Sequence, residues 1–88
     1  MVDPSRRNPI RVPNLGIEDA RLTVSVWLVP RGASVAAGDR VVEVSTGEAV
    51  VDLPSPTHGV LVEKLIAEDA PVQTGQVLGW IQPAALPP

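Results

Sequence analysis

Side chains able to carry covalent chemistry are scarce in this 88-residue chain, and each stands alone. Lys64 is the only lysine and therefore the only side-chain amine. It lies in Val62-Glu63-Lys64-Leu65, a stretch that reads as mid-strand, whereas an acylating enzyme needs a lysine that protrudes from a turn. Glu63 and Glu68 nearby mark an ordinary solvated strand face instead. His58 is the only histidine and follows Thr57 in a Pro-rich loop. One imidazole cannot build a zinc site unaided, and no carboxylate lies close in sequence to orient it as a base. Ser34, Ser45 and Ser55 lack the Gly-x-Ser-x-Gly surroundings of an activated nucleophile. The acidic pairs Glu18-Asp19 and Glu68-Asp69 read as loop residues, and Asp39 after Gly38 reads as a turn closed through its own side chain. With no cysteine there is no thiolate nucleophile, thiolate metal site or disulfide. The expectation is no catalytic residue, no metal ligand set and no enzyme. One short run remains: Ser45-Thr46-Gly47-Glu48-Ala49, in which Glu48 is either a functional acid or a solubilising turn residue.

The elements that must position that run follow from composition. Ten prolines and seven glycines interrupt the chain too often for long helices. Much of the apolar content is Val, whose branched Cβ packs well on a pleated surface, so the domain reads as all-β. There is no Phe or Tyr, and Trp27 and Trp80 read as partial core or sheet-face residues in an otherwise aliphatic core. Residues 1–9 are polar and proline-bearing and are expected to be a disordered tail. Residues 83–88 resemble a stiff Pro-rich tail, leaving 10–82 as the folded domain. A net charge of −3 offers no basic surface, which argues against nucleic-acid binding. No apolar run approaches the roughly 20 residues of a membrane span, and no signal core is present. A soluble, cytoplasmic protein is expected.

An internal repeat organises the folded part. A shift of 37 positions lays Leu28 on Leu65, Val29 on Ile66, Ala33 on Ala70 and Val35 on Val72. It also lays Gly38 on Gly75, Val41 on Leu78 and Val44 on Ile81. Each copy reads as a strand (22–29 and 59–66), a loop, a short apolar step at Val35 or Val72, a Gly turn, and a second strand (41–45 and 77–81). A lone strand pair is only marginally stable. The two halves are therefore predicted to pack face to face with pseudo-two-fold symmetry.

The run 41–56 (VVEVSTGEAVVDLPSP) reads as two strands around a tight turn, with Gly47 supplying the positive φ such turns demand. It resembles the lipoyl-attachment hairpin of the lipoyl/biotinyl domain family, found in 2-oxo acid dehydrogenase acyltransferases. In that family the turn presents a lysine within Glu-Thr-Asp-Lys-Ala, and lipoate joins its ε-amine as an amide. Here Thr46 and Ala49 match, while Gly47 and Glu48 stand where that family has Asp-Lys. Other stretches are similar too: Ile10 to Gly16 resembles the opening strand and its Pro-x-Leu-Gly turn, Val35-Ala36-Ala37-Gly38-Asp39 the Val-x-x-Gly-Asp turn, Pro54-Ser55-Pro56 with Gly59 the Pro-x-Pro-x-x-Gly stretch, and 72–81 the closing strands. Departures fall at Arg21-Leu22, where the family has Glu-Gly, and at Gly32-Ala33 and Asp69-Ala70, where it has Gly-Asp. The Met-Lys-Met of the biotinyl form is not approached.

The resemblance implies a barrel-sandwich hybrid, a flattened barrel of two four-stranded antiparallel sheets with the hairpin exposed at one end. A carboxylate has no nitrogen to acylate, so Glu48 is expected to leave the domain unmodified, with no cofactor at Thr46, Gly47, Glu48 or Ala49. The expected role is that of a protein-interaction or assembly module, its partner a component of a dehydrogenase- or carboxylase-type complex. The alternative is a lipoyl carrier domain, with lipoate as its cofactor.

Overall fold

Along Leu22–Trp27, buried Leu22 and Val24 alternate with partly exposed Thr23 and Ser25, the period-2 pattern that gives a strand one core face and one wet face. The computed structural model, which describes residues 6–16 and 21–84, contains eight such strands. They are β1 (Asn8–Arg11), β2 (Leu22–Trp27), β3 (Ser34–Val35), β4 (Arg40–Ser45), β5 (Val50–Pro54), β6 (Gly59–Lys64), β7 (Pro71–Val72) and β8 (Val77–Pro83). They form two four-stranded antiparallel sheets, ordered β1-β8-β6-β3 and β5-β4-β2-β7. The core between them is aliphatic: Val24, Val41, Val42, Val44, Leu61, Leu78 and Ile81 are fully buried.

The repeat is visible bond by bond. The shift of 37 carries the bulge at Val24/Val26 onto that at Leu61/Glu63. It also carries the bond from Leu28 N–H to Val41 O onto the bond from Leu65 N–H to Leu78 O. The halves do more than face one another, however. β3 leaves its own half to pair with β6, and β7 leaves the other to pair with β2. Each sheet is thus a central pair from one half flanked by strands of the other. This exchange shortens the predicted strands. β2 and β6 stop at Trp27 and Lys64, two residues early, because the chain must turn there to cross to the opposite sheet.

The folded part also begins sooner than expected. Asn8 and Pro9 pair with Ile81 and Trp80, and β8 runs through Pro83. Pro9 is tolerated because β1 is an edge strand, where one side of the backbone needs no partner. Pro54 and Pro71 lie likewise in edge strands, β5 and β7. The expected disorder of residues 1–5 and 85–88, and the pair Glu18-Asp19, lie outside the described residues.

Trp27 and Lys64 are mates in the repeat, and they meet: the Lys64 Nζ lies 5.2 Å from the Trp27 ring centroid. Two equivalent positions in contact put the pseudo-dyad between them. The indole packs against the core, donates from Nε1 to Ile66 O at 2.9 Å, and reaches Gly79. A Cβ at Gly79 would stand 2.5 Å from Glu63 O and 3.0 Å from Trp27 Cη2, so the Glu63 backbone demands a glycine there and the ring fits tightly beside it. Glu68, read from the sequence as a plain loop residue, accepts the Trp27 backbone N–H at 2.9 Å.

Candidate functional site

The hairpin joining β4 to β5 carries the run singled out in the sequence. Ser45 pairs with Val50, and the four residues between them form the tip. Thr46 N–H donates to Ala49 O at 2.9 Å, and Ala49 N–H donates to Thr46 Oγ1 at 3.1 Å. Ser45 Oγ accepts from Gly47 N–H at 3.1 Å. Gly47 has φ of 95°, a positive value at the first central position, as type II′ turns require and as a Cβ disfavours. The tip is therefore held by its own hydroxyls and backbone. The signal for this is present in the sequence as Ser-Thr-Gly, since short hydroxyl side chains beside a glycine bond locally in turns.

Glu48, the other central residue, is exposed and makes no hydrogen bond or ion pair among the described residues. No donor approaches that would fix its carboxylate for acid-base work, and neither His58 nor a second acid joins it. Behind the tip, a row of outward residues runs across the sheet from Val50 through Ser45 and Thr23 to Pro71. Val50 is 58% exposed, the most open large apolar side chain among the described residues. Beyond this row lies a shallow cavity of about 360 Å³ lined by Arg21, Thr23, Pro71, Gln73 and Gln76, among others. The far side of the same sheet face carries Glu43 and Asp52 side by side, with Arg40 Nη1 at 3.7 Å from Asp52 Oδ2. The hairpin thus presents a carboxylate, an exposed valine and polar flanks.

The remaining candidates are dispersed. Lys64 is half-buried against Trp27 and is the last residue of β6, where the chain leaves the sheet, rather than mid-strand as its sequence suggested. His58 is exposed in the loop before β6, with Nδ1 accepting a long 3.4 Å bond from Ala37 N–H. Asp39 closes its turn by accepting Ala36 N–H at 2.8 Å, and Gln76 repeats that bond to Gln73 N–H at 2.9 Å. Ser55 is buried and donates to Thr57 O. Among the described residues no three His, Cys, Asp or Glu side chains gather where they could hold a metal ion.

Comparison with known proteins places this geometry. The family model described as "Biotin-requiring enzyme" matches residues 8–81. The dihydrolipoyllysine-residue acetyltransferase component of the pyruvate dehydrogenase complex of Mycobacterium tuberculosis is 42% identical over 77 residues, 88% of this chain and 14% of that protein. The succinyltransferase component of the 2-oxoglutarate dehydrogenase complex of Bartonella vinsonii is 36% identical over 76 residues, 86% of this chain and 18% of that protein. The chain thus spans less than a fifth of the length of either relative. Among solved structures, the lipoyl domain of the 2-oxoglutarate dehydrogenase complex of Azotobacter vinelandii superposes with a TM-score of 0.72 at 25% identity, covering 88% of this chain and 98% of that one. A domain of a single-chain, multi-domain long-chain acyl-CoA carboxylase shares the fold, with a TM-score of 0.75 at 21% identity over 98% of this chain and 8% of that one.

Proposed function

Because the chain belongs to the biotin- and lipoyl-attachment domain family, we propose that it is a member that stays unmodified and works by being bound. In this reading it is a non-catalytic interaction or assembly module in the cytoplasm. Its partner is a component of a dehydrogenase- or carboxylase-type complex, as its relatives' names suggest. One observation carries the reading: the tip of the β4–β5 hairpin, which resembles the family's lipoyl-attachment turn, carries the exposed carboxylate of Glu48. Lipoylation forms an amide between the lipoate carboxyl and an amine. A carboxylate supplies no lone-pair nitrogen, so that bond cannot form at Glu48. Lys64 offers a poor substitute, since it is half-buried at the end of β6 with its amine over the Trp27 ring at 5.2 Å, away from the hairpin tip. The geometry of the tip fits a role in contact, because Ser45, Thr46, Gly47 and Ala49 close the turn among themselves while the exposed Glu48 side chain is left available.

Intact-mass analysis after coexpression with a lipoate-protein ligase and supplied lipoate tests the proposal. The unchanged chain should keep its unmodified mass, whereas any stable lipoyl adduct on it would establish the carrier reading instead. Glu48→Lys serves as the companion variant. A lipoyl adduct on that variant alone would show that the missing amine is the sole barrier.

A further inference from the structure

Arg7, just before β1, and Arg31, in the connection from β2 to β3, line one open cavity of about 370 Å³ with Gly32, Leu61 and Val62. The two arginines are 24 positions apart in sequence and approach the same sheet from its two outer strands. Among the described residues neither has a carboxylate partner, although the chain carries ten acidic residues against seven basic ones. Arg31 is anchored: its Nε donates to Val62 O at 3.1 Å, and the adjacent Gly32 N–H donates to Leu61 O at 2.7 Å. That leaves the terminal nitrogens of its guanidinium without an acceptor among the described residues. Arg7 is less satisfied still, because its Nε is buried with no hydrogen-bond partner at all. A buried donor without an acceptor is costly, and two like charges at one cavity repel unless something negative lies between them.

The geometry points to an oxyanion site in which Arg7 and Arg31 together bind a phosphate group. Two guanidiniums supply two positive charges, one from the chain just before β1 and the other from the β2–β3 connection. A planar carboxylate is satisfied by one fork, whereas a phosphate dianion presents three oxygens and enough charge for both. The partly exposed Val62 beside the two arginines offers an organic substituent an apolar contact, so a phosphomonoester and free phosphate are distinguishable sources of the same chemistry. The site lies on the opposite sheet from the β4–β5 hairpin and does not depend on whether that hairpin is modified.

Nuclear magnetic resonance titration of the 88-residue chain tests this, following the Gly32 and Val62 amides and the arginine Nε–H signals at fixed, low ionic strength. Inorganic phosphate, phenyl phosphate, acetate and chloride are the probes. Saturable shifts with phosphate, weakened about tenfold or more in Arg7→Gln and in Arg31→Gln, are the expected result. Arg31→Lys keeps the charge without the fork and should recover only part of the affinity. Tighter binding of phenyl phosphate would identify an organic monoester as the source, and equal binding would identify free phosphate. Shifts that fail to saturate, that acetate or chloride reproduces, or that persist unchanged in variants with well-dispersed spectra would overturn the site.

Discussion

Residues 22–45 and 59–82 close the same backbone hydrogen bonds and fill the space between them with different side chains. In the first half, Leu22 and Val42 are buried and Trp27 reaches across the dyad. Their mates in the second half are Gly59, Gly79 and Lys64. Volume has been moved from one copy to the other. Trp27 occupies room that Gly79 vacates, and Gly59 lets the Gln82 backbone come so near that a Cβ would collide with its carbonyl. A symmetric core would place two equal side chains on the axis, where they compete for one space. Unequal partners interdigitate, as dense packing requires. The backbone pattern is therefore tolerant of sequence, while each side-chain choice is tied to its mate.

The sharpest way to break this comparison is at the second-half glycines. Gly59→Ala should cost more than about 3 kcal/mol, since the new methyl meets a backbone carbonyl that cannot rotate away. Leu22→Ala at the mate position only empties space and should cost about 2–3 kcal/mol. Urea denaturation of both variants checks the order, and an Ala at position 59 that was tolerated as well as one at 22 would refute the asymmetric packing. Next in size, Trp27→Ala should cost about 3 kcal/mol, because the ring is half-buried and loses its Ile66 bond and its contact with Gly79. In the same variant Lys64 should react faster with an amine acylating reagent, read by mass spectrometry. The smallest effect concerns the left-handed turns. Asp69 has φ of 70° and its mate Gly32 has φ of 93°, with open space around the glycine. Gly32→Ala should therefore destabilise by about 1 kcal/mol through conformation alone, whereas Asp69→Gly should be neutral or stabilise by a few tenths. Thermal melting resolves the pair.

Much of this was legible in the sequence, and what was not has a common cause. The repeat, the strands and the geometry of the Gly47 turn are set by local pattern and by glycine, which leave marks within a few residues. The exchange of β3 and β7 between halves left none, because two-residue strands carry no periodicity and a shift of 37 says which positions are equivalent, not which ones pair. The same holds for Gly79 under Trp27, for Glu68 on the Trp27 N–H, and for Arg7 beside Arg31. Each joins residues far apart in sequence. At the tip, Glu48 was legible as a residue type and Thr46 as a match to a known turn. That Ser45 and Thr46 brace the turn with their hydroxyls required the geometry.

The prolines of the outer strands bear on how the protein behaves in crowded solution. An all-β chain with two open sheets has four edges at which another copy could add a strand and begin a fibre. Pro9, Pro54 and Pro71 place a ring without an N–H in three of those edges, and the fourth, β3, is only two residues long. A neighbouring molecule finds no uninterrupted ladder to extend. The sandwich can therefore be held at high local concentration, tethered or free, and remain a set of separate folded units.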